Sequence, residues 1–387
     1  MQQCTLEQLD QALDRGAMLR IRQHLEPAGA GGLVYPPTYG GGGHIFREAW
    51  IEEERRQVVV LDSPQSQSNR IEEALLAAHR LGSIQYPDIE ITVPSPMGTE
   101  HYSILQLSHR IFDAALLLTE HDGTPFKQTS VGQAVYKARL DRATGLYEHA
   151  PVTLVLGGWD SHSGGGPLSA KIPRVVTSEI IGVDAIPARR GAVKFDPMDV
   201  RKAAGPVYQS KNPERIFELD KKRAADKKEK NPSDVGLGNV PNTEERGASI
   251  RHALQSSLVS LAAVRRLRFE DGPGNPDPRR DRAGRASTVA LGLYGLLSQM
   301  EAGYFLRSGC DLIPTARPTL EVVGRTLEEV ESFALDADQA HRLLRECLER
   351  AEHAGLAWRH EPLKVEADDR LQELVRRSRE SARAEEE

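Results

Sequence analysis

Residues 63–70 read Ser-Pro-Gln-Ser-Gln-Ser-Asn-Arg, between the β-branched run Val58–Val60 and an amphipathic stretch. Ser63, Gln65, Ser66, Gln67 and Asn69 are neutral hydrogen-bonding side chains that can reach phosphate or a 2′-hydroxyl without reading a base. Arg70 adds charge. The stretch lies just before an expected helix start, where free N–H groups and the helix dipole favour anions. The plainer reading is a polar loop with good capping. A second candidate is Arg20 and Arg22, on one side of a predicted strand and about 7 Å apart. That spacing suits successive phosphates of a nucleic-acid strand. The alternative is an edge strand protected by charge.

The remaining chemical signals do not combine. Asp160, Ser161 and His162 are adjacent, whereas a catalytic triad converges from separate places. No G-x-S-x-G elbow is present. The glycine runs at 40–43 and 164–166 lack the GK[ST] of a phosphate-binding loop. The chain has 12 histidines but no HExxH and no close Cys/His cluster. His109 alone reads as a hydrogen-bonded structural residue. The arginines at 279–285 and the lysines at 221–230 could be nucleic-acid arms, and as readily solvated surface. The aromatic signature of an RRM platform is missing.

The elements that must position these residues follow from periodicity. Thr5 caps a helix over 5–15, and a strand over 17–27 sets Leu19, Ile21 and Gln23 against Arg20, Arg22 and His24. A Gly/Pro-rich loop or irregular hairpin spans 27–48. The spacing then predicts a strand at 57–62, a helix from Asn69 to Leu81 with a capping box to Glu72, and a strand at 89–93. The run 103–118 reads as helical in its second half, 151–161 as a strand ending in Gly-Gly, and 172–185 as one or two strands. Helices are expected at 248–268, 286–306 and 327–355, with a charged helical tail. This is an α+β pattern.

Composition bounds the rest. With 387 residues, 39% apolar and 27% charged, the chain can build a sizeable core. A net charge of −6 excludes bulk attraction to polyanions, so any such site must be a local patch. Residues 201–230 carry ten Lys/Arg against five Asp/Glu and read as an exposed insertion. Cys4, Cys310 and Cys347 form neither a disulfide framework nor a CxxC site, which fits a reducing compartment. No signal or membrane segment is visible, so the expectation is a cytoplasmic protein without membrane contact.

Seven stretches, in order, resemble one family: LRIRQHLEPAGAGG, YPPTYGGGG, VVVLDSPQSQSNRIEEALL, LSHRIFDA, LVLGGWDSHS, RVVTSEIIG and LRSGCDL. They are similar to the backbone subunit of the type I-G (formerly I-U) CRISPR effector complex, a RAMP protein of the Cas-seven family, over roughly residues 18–315. The resemblance implies a modified RRM-like (ferredoxin-like) palm with inserted finger and thumb elements and a helical C-terminal part. The palm would occupy 1–200 and 248–325, with an Arg-rich loop at 270–285. Residues 201–247 would be a basic insertion and 326–387 a helical segment. The implied partners are CRISPR RNA, target DNA through guide pairing, further copies head-to-tail and other Cascade subunits. No cofactor, metal or enzymatic activity is implied. On this reading Ser63, Gln65, Ser66, Gln67, Asn69 and Arg70 touch the guide backbone with Arg20, Arg22, His109 and Arg110. Trp159 and Tyr39 could pack on a base or ribose, with core packing the plainer role. The alternatives are a metal-independent RAMP ribonuclease using His109 or His162, and a scaffold without nucleic acid.

Overall fold

The computed structural model describes the chain except at positions 1, 41–42, 96–97, 163–168, 189, 192–195, 201, 213–214, 216, 226–227, 239–242, 245–246, 273 and 387. The glycine runs at 40–43 and 164–166 therefore lie partly or wholly outside the described residues. The chain divides into two units, residues 1–186 with 249–371 and residues 187–248 with 372–387.

In the first unit, helix α1 (Leu6–Arg15) starts at a Thr5–Gln8 capping box. Strand β1 (Met18–Pro27) follows and buries Leu19, Ile21, Gln23 and Leu25, leaving Arg20, Arg22 and His24 on the other face. A hairpin of β2 (Phe46–Ile51) and β3 (Glu54–Asp62) leads into α2 (Pro64–Arg80). Next come β4 (Ile89–Ser95), β5 (Gly98–Ser103) and β6 (Thr119–His121), then the two-residue strands β7 (Gly158–Trp159) and β8 (Lys171–Ile172). Strands β9 (Val176–Val183) and β10 (His252–Ser260) precede the long helix α3 (Pro278–Glu301). The chain continues through β11 (Tyr304–Arg307), β12 (Cys310–Pro314), β13 (Thr319–Val323), β14 (Val330–Ala334), α4 (Ala337–His353) and β15 (Leu363–Ala367).

The main sheet is antiparallel, in the order β11–β12–β1–β10–β9–β3–β2. β13 also pairs with the first half of β1, and β14 with β13. Val183 at the end of β9 sits opposite His252 at the start of β10, so residues 184–251 leave and return at one rung. Glycines let α3 approach closely: a Cβ at Gly292 would meet Val176 of β9, and one at Gly295 would meet Ile71 and Leu75 of α2. A smaller sheet runs β5–β4–β15–β6, with the C-terminal strand β15 parallel to β4.

The covered face of the main sheet holds an uninterrupted polar network. The Asp62 side chain is fully buried and accepts hydrogen bonds from Ser66 Oγ (2.7 Å), Gln67 Nε2 (2.6 Å), Arg70 Nε (3.0 Å) and Arg307 Nη2 (3.3 Å). Gln67 Oε1 accepts from Ser178 Oγ (2.7 Å) and Gln255 Nε2 (2.8 Å), while Gln255 Oε1 accepts from the Tyr304 hydroxyl (2.8 Å). Ser178 and Ser257 hydroxyls lie 2.8 Å apart. Strands β3, β9, β10 and β11 and helix α2 thus contribute to one chain of donors and acceptors.

Several expectations change. The helix predicted from Asn69 begins earlier, at Pro64, with Ser63 accepting from the Ser66 N–H (3.3 Å). Residues 152–156, expected as a strand, form a short helix; a brief buried apolar run has no period that separates the two. The helix expected over 248–268 is mostly strand β10. Its covered face carries Gln255 and Ser257, and polar residues there conceal the alternation. The Arg-rich loop at 270–285 is, from Pro278 on, the first two turns of α3, with Asp277 capping Arg279 and Arg280. The run 103–118 forms 3₁₀ turns, and the C-terminal segment adds strands as well as helices. In the second unit Tyr208–Gln209 pairs with Phe217–Glu218, and Lys221 bonds Glu229 (3.0 Å).

Replacing Gln67 with Leu leaves Asp62, Ser178 and Gln255 each short of a partner, so it should cost about 3 kcal/mol. Urea unfolding measures this, and a change below about 1 kcal/mol would mean that the network closes without Gln67. A second expectation concerns pH. Burial, and then Arg359, push the His149 imidazole from 6.5 down to about 4, and its Nδ1 has no partner. Below pH 6.5 the unfolded chain gains a proton that the folded chain refuses. Stability is therefore full above that pH and falls by about 2 kcal/mol on going to pH 5. A His149→Gln variant should lose correspondingly less between urea titrations at the two pH values.

Candidate functional site

The residues singled out in the sequence fall into committed and available groups. Ser66, Gln67 and Arg70 donate to Asp62, and Arg70 Nη2 also holds the Leu306 carbonyl (2.8 Å). Ser63 caps α2. Gln67 is fully buried and offers no surface to a ligand. From this stretch only Gln65 and Asn69 are exposed. The density of neutral donors therefore has a structural cause: a buried carboxylate beside a helix start takes them inward.

Arg110 is also committed. It is buried, adopts φ of 54°, and forms a two-pronged pair with Glu72 at 2.5 and 3.0 Å while reaching the Gly157 carbonyl at 3.3 Å. Burial raises the Glu72 carboxyl above its ordinary range, and Arg110 pulls it back. His109 is exposed, and its backbone N–H donates to Asp113 Oδ2 (3.1 Å). His162 is exposed as well.

On the uncovered sheet face, Arg20 Nε and Arg22 Nη2 share one carboxylate, Glu321, at 2.6 and 3.3 Å. Burial raises the Glu321 carboxyl, but the two arginines outweigh it and hold it below the usual range. Arg22 keeps 51% of its side chain exposed and Arg20 only 19%. Beside them lie Ser256 and Leu254 of β10, paired with Arg22 and His24, and a tilted ring contact of His24 with His252 at 5.6 Å. This face is half-exposed, mixed in character and only partly basic.

A third region surrounds Trp159, for which the sequence offered a base or ribose contact and, as the plainer role, core packing. Gly157 has φ of 80°, and a Cβ there would come within 2.9 Å of Arg174 N; a Cβ on Gly158 would strike Thr153 and Phe112. The pair lets the chain hug β8 and then present Trp159, which is 58% exposed and so not a core residue. Lys171 is its direct partner in the β7–β8 ladder, with Nζ 5.0 Å from the indole centre. Trp159, Lys171, Arg174 and Arg266 line an open groove of about 520 Å³ floored by Leu156, Ile172 and Arg110. Tyr39 is half-buried. The usable signal in the sequence was the Gly-Gly-Trp order, since two glycines before an aromatic allow a close turn that leaves the ring outside.

Among the described residues, no group of three or more His, Cys, Asp or Glu side chains is placed to hold a metal ion. Nor is any helix there long and apolar enough to cross a membrane. The three cysteines are free and buried; burial lifts the Cys4 and Cys310 thiols to about 11 and Cys347 to about 12.

A family model described as CRISPR-associated protein GSU0053 matches residues 19–187, from β1 through β9. Over that span the chain resembles a CRISPR-associated family. No curated protein matches. Among solved structures, the chain is similar to the crystal structure of Thermofilum pendens Csc2, with TM-score 0.28, 12% identity, and 96% of this chain and 79% of that one covered. It is also similar to a chain of a structure titled CRISPR RNA-guided surveillance complex, pre-nicking, with TM-score 0.30, 10% identity, and coverage of 93% and 99%.

The two groups of arginines should separate on substitution. Arg110→Ala leaves Glu72 buried without its partner and should cost about 3–5 kcal/mol. Arg22→Ala removes a half-exposed ion pair and should cost less than about 1 kcal/mol. Denaturant midpoints of the two variants test the division, and equal costs would contradict it.

Proposed function

We propose that the chain is a CRISPR-RNA-binding backbone subunit of a type I-G, Cascade-type surveillance complex. The observation that carries this reading is the CRISPR-associated family match over residues 19–187, which spans the β1 face, the start of α2 and the Trp159 turn. Strand topology supports it. The path β1–α2–β9–β10–α3–β12 with the antiparallel order β12–β1–β10–β9 is what an RRM-like (ferredoxin-like) palm would need. The segment 184–251, inserted at one rung of that sheet, is the candidate finger or thumb.

In this role the protein is not an enzyme. It grips the guide through backbone contacts while base pairing with target DNA supplies specificity. Copies stack head-to-tail along the RNA, an open assembly rather than a closed ring. Of the residues first considered, Arg22, Gln65, Asn69 and His109 are exposed and would be the ones to meet RNA. Arg20 contributes charge from its partly buried pair. Arg70, Arg110, Ser66 and Gln67 act by holding the fold.

Co-expression with a CRISPR array and purification at moderate salt should yield discrete guide-length RNA on a multimer. Replacing Arg22, Gln65 and Asn69 together with Ala should reduce the retained RNA without changing the unfolding midpoint by more than about 1 kcal/mol equivalent. Protein that emerges free of RNA, both alone and with the other subunits of its complex, would overturn the proposal.

A further inference from the structure

Several cations of the first unit are neutralised in place: Arg20 and Arg22 share Glu321, Arg70 and Arg307 share Asp62, and Arg110 holds Glu72. Lys171 and Arg266 are exposed, and among the described residues neither is in an ion pair. They line the same groove as Trp159. Arg174, half-buried on its wall, bonds only carbonyls, those of Leu156 (3.2 Å) and Pro64 (3.4 Å). Burial and then Arg110 hold its guanidinium below its ordinary pKa, and Glu72 opposes them.

An exposed indole flanked by uncompensated cations matches one ligand chemistry well. A nucleobase stacks on the ring, and the adjoining phosphates lie against the cations. The turn is held by several contacts: Gly157 and Gly158 allow close packing, the Trp159–Lys171 pairing sets the ammonium over one face of the ring, and Arg110 ties Gly157 to α2. A side chain already held in position loses less entropy on binding. An acidic peptide would be drawn to the cations but would leave the indole face without a flat partner.

We infer that the Trp159 groove is a binding site for single-stranded RNA, with one base stacked on Trp159 and the flanking phosphates held by Lys171 and Arg266. The inference rests on the guide-RNA reading above and deepens it, because it assigns a base contact to Trp159 and the adjoining phosphate contacts to named cations.

The test uses the full chain and a fluorescein-labelled oligouridine of about 12 nucleotides, within the usual span of single-strand sites. Trp159→Ala should weaken binding about fivefold to a hundredfold, and Trp159→Phe should restore most of it. Joint Lys171→Gln and Arg266→Gln changes should flatten the slope of log affinity against log salt by about 1.4. The chain has 3 tryptophans, and Trp358 is only 6% exposed. In a Trp50→Phe background, quenching by the oligonucleotide therefore reports Trp159. If the wild-type chain binds the oligonucleotide but affinity and quenching ignore these substitutions, the groove is not the site and the wider reading stands. If the wild-type chain binds no oligonucleotide, the inference also falls. Co-purification of guide RNA then decides the wider reading separately.

Discussion

A single buried carboxylate organises the first unit. Asp62 ends β3, and its two oxygens are filled by side chains from the first two turns of α2 and from β11. An isolated charge at that depth would be expensive, and only full pairing makes it tolerable. Each donor is therefore held in place, and three of the four carry a further link. Gln67 continues to Ser178 and Gln255, Arg70 to the β11 backbone, and Arg307 to the Tyr35 carbonyl (3.2 Å). The register of α2 over the sheet follows from that one requirement. So does the path of the chain into the loop after β1.

The same logic distributes charge. An acidic protein in the proposed RNA-binding role must keep its carboxylates away from the contact surface. Here several are spent internally: Glu72, Glu321 and Asp62 each hold one or two arginines. Net charge therefore says little about any one face, and a count of arginines in the sequence overstates what a ligand would meet. Lys171 and Arg266 are among the exposed cations that no carboxylate holds.

Legibility in the sequence tracked periodicity. β1 and α1 were readable because apolar residues alternate or recur cleanly and Thr5 has its Gln8 partner. β10 was not, because Gln255 and Ser257 occupy its covered face, and their burial makes sense only once Gln67 and Tyr304 are known to lie opposite. The same blindness affected residues 63–70. Their composition announced hydrogen bonding correctly, but sequence gives no sign of whether donors face a phosphate outside or an aspartate inside. Asp62, one residue before the stretch, was the clue. Trp159 erred in the opposite direction: a tryptophan is usually packed away, and only the strained glycine before it shows why this one is not.

The rung shared by Val183 and His252 has a consequence for how such a chain can change. Whatever lies between these residues begins and ends at neighbouring positions, so the sheet experiences it as a hairpin loop. Closing a loop of residues 184–251 rather than a four-residue turn adds only about 2.5 kcal/mol, because closure entropy grows with the logarithm of length. Lengthening it again by half would add about 0.4 kcal/mol more. Residues there can be gained, lost or exchanged over generations with almost no effect on the strands that carry them. Variation in reach and shape is thereby decoupled from the stability of the sheet.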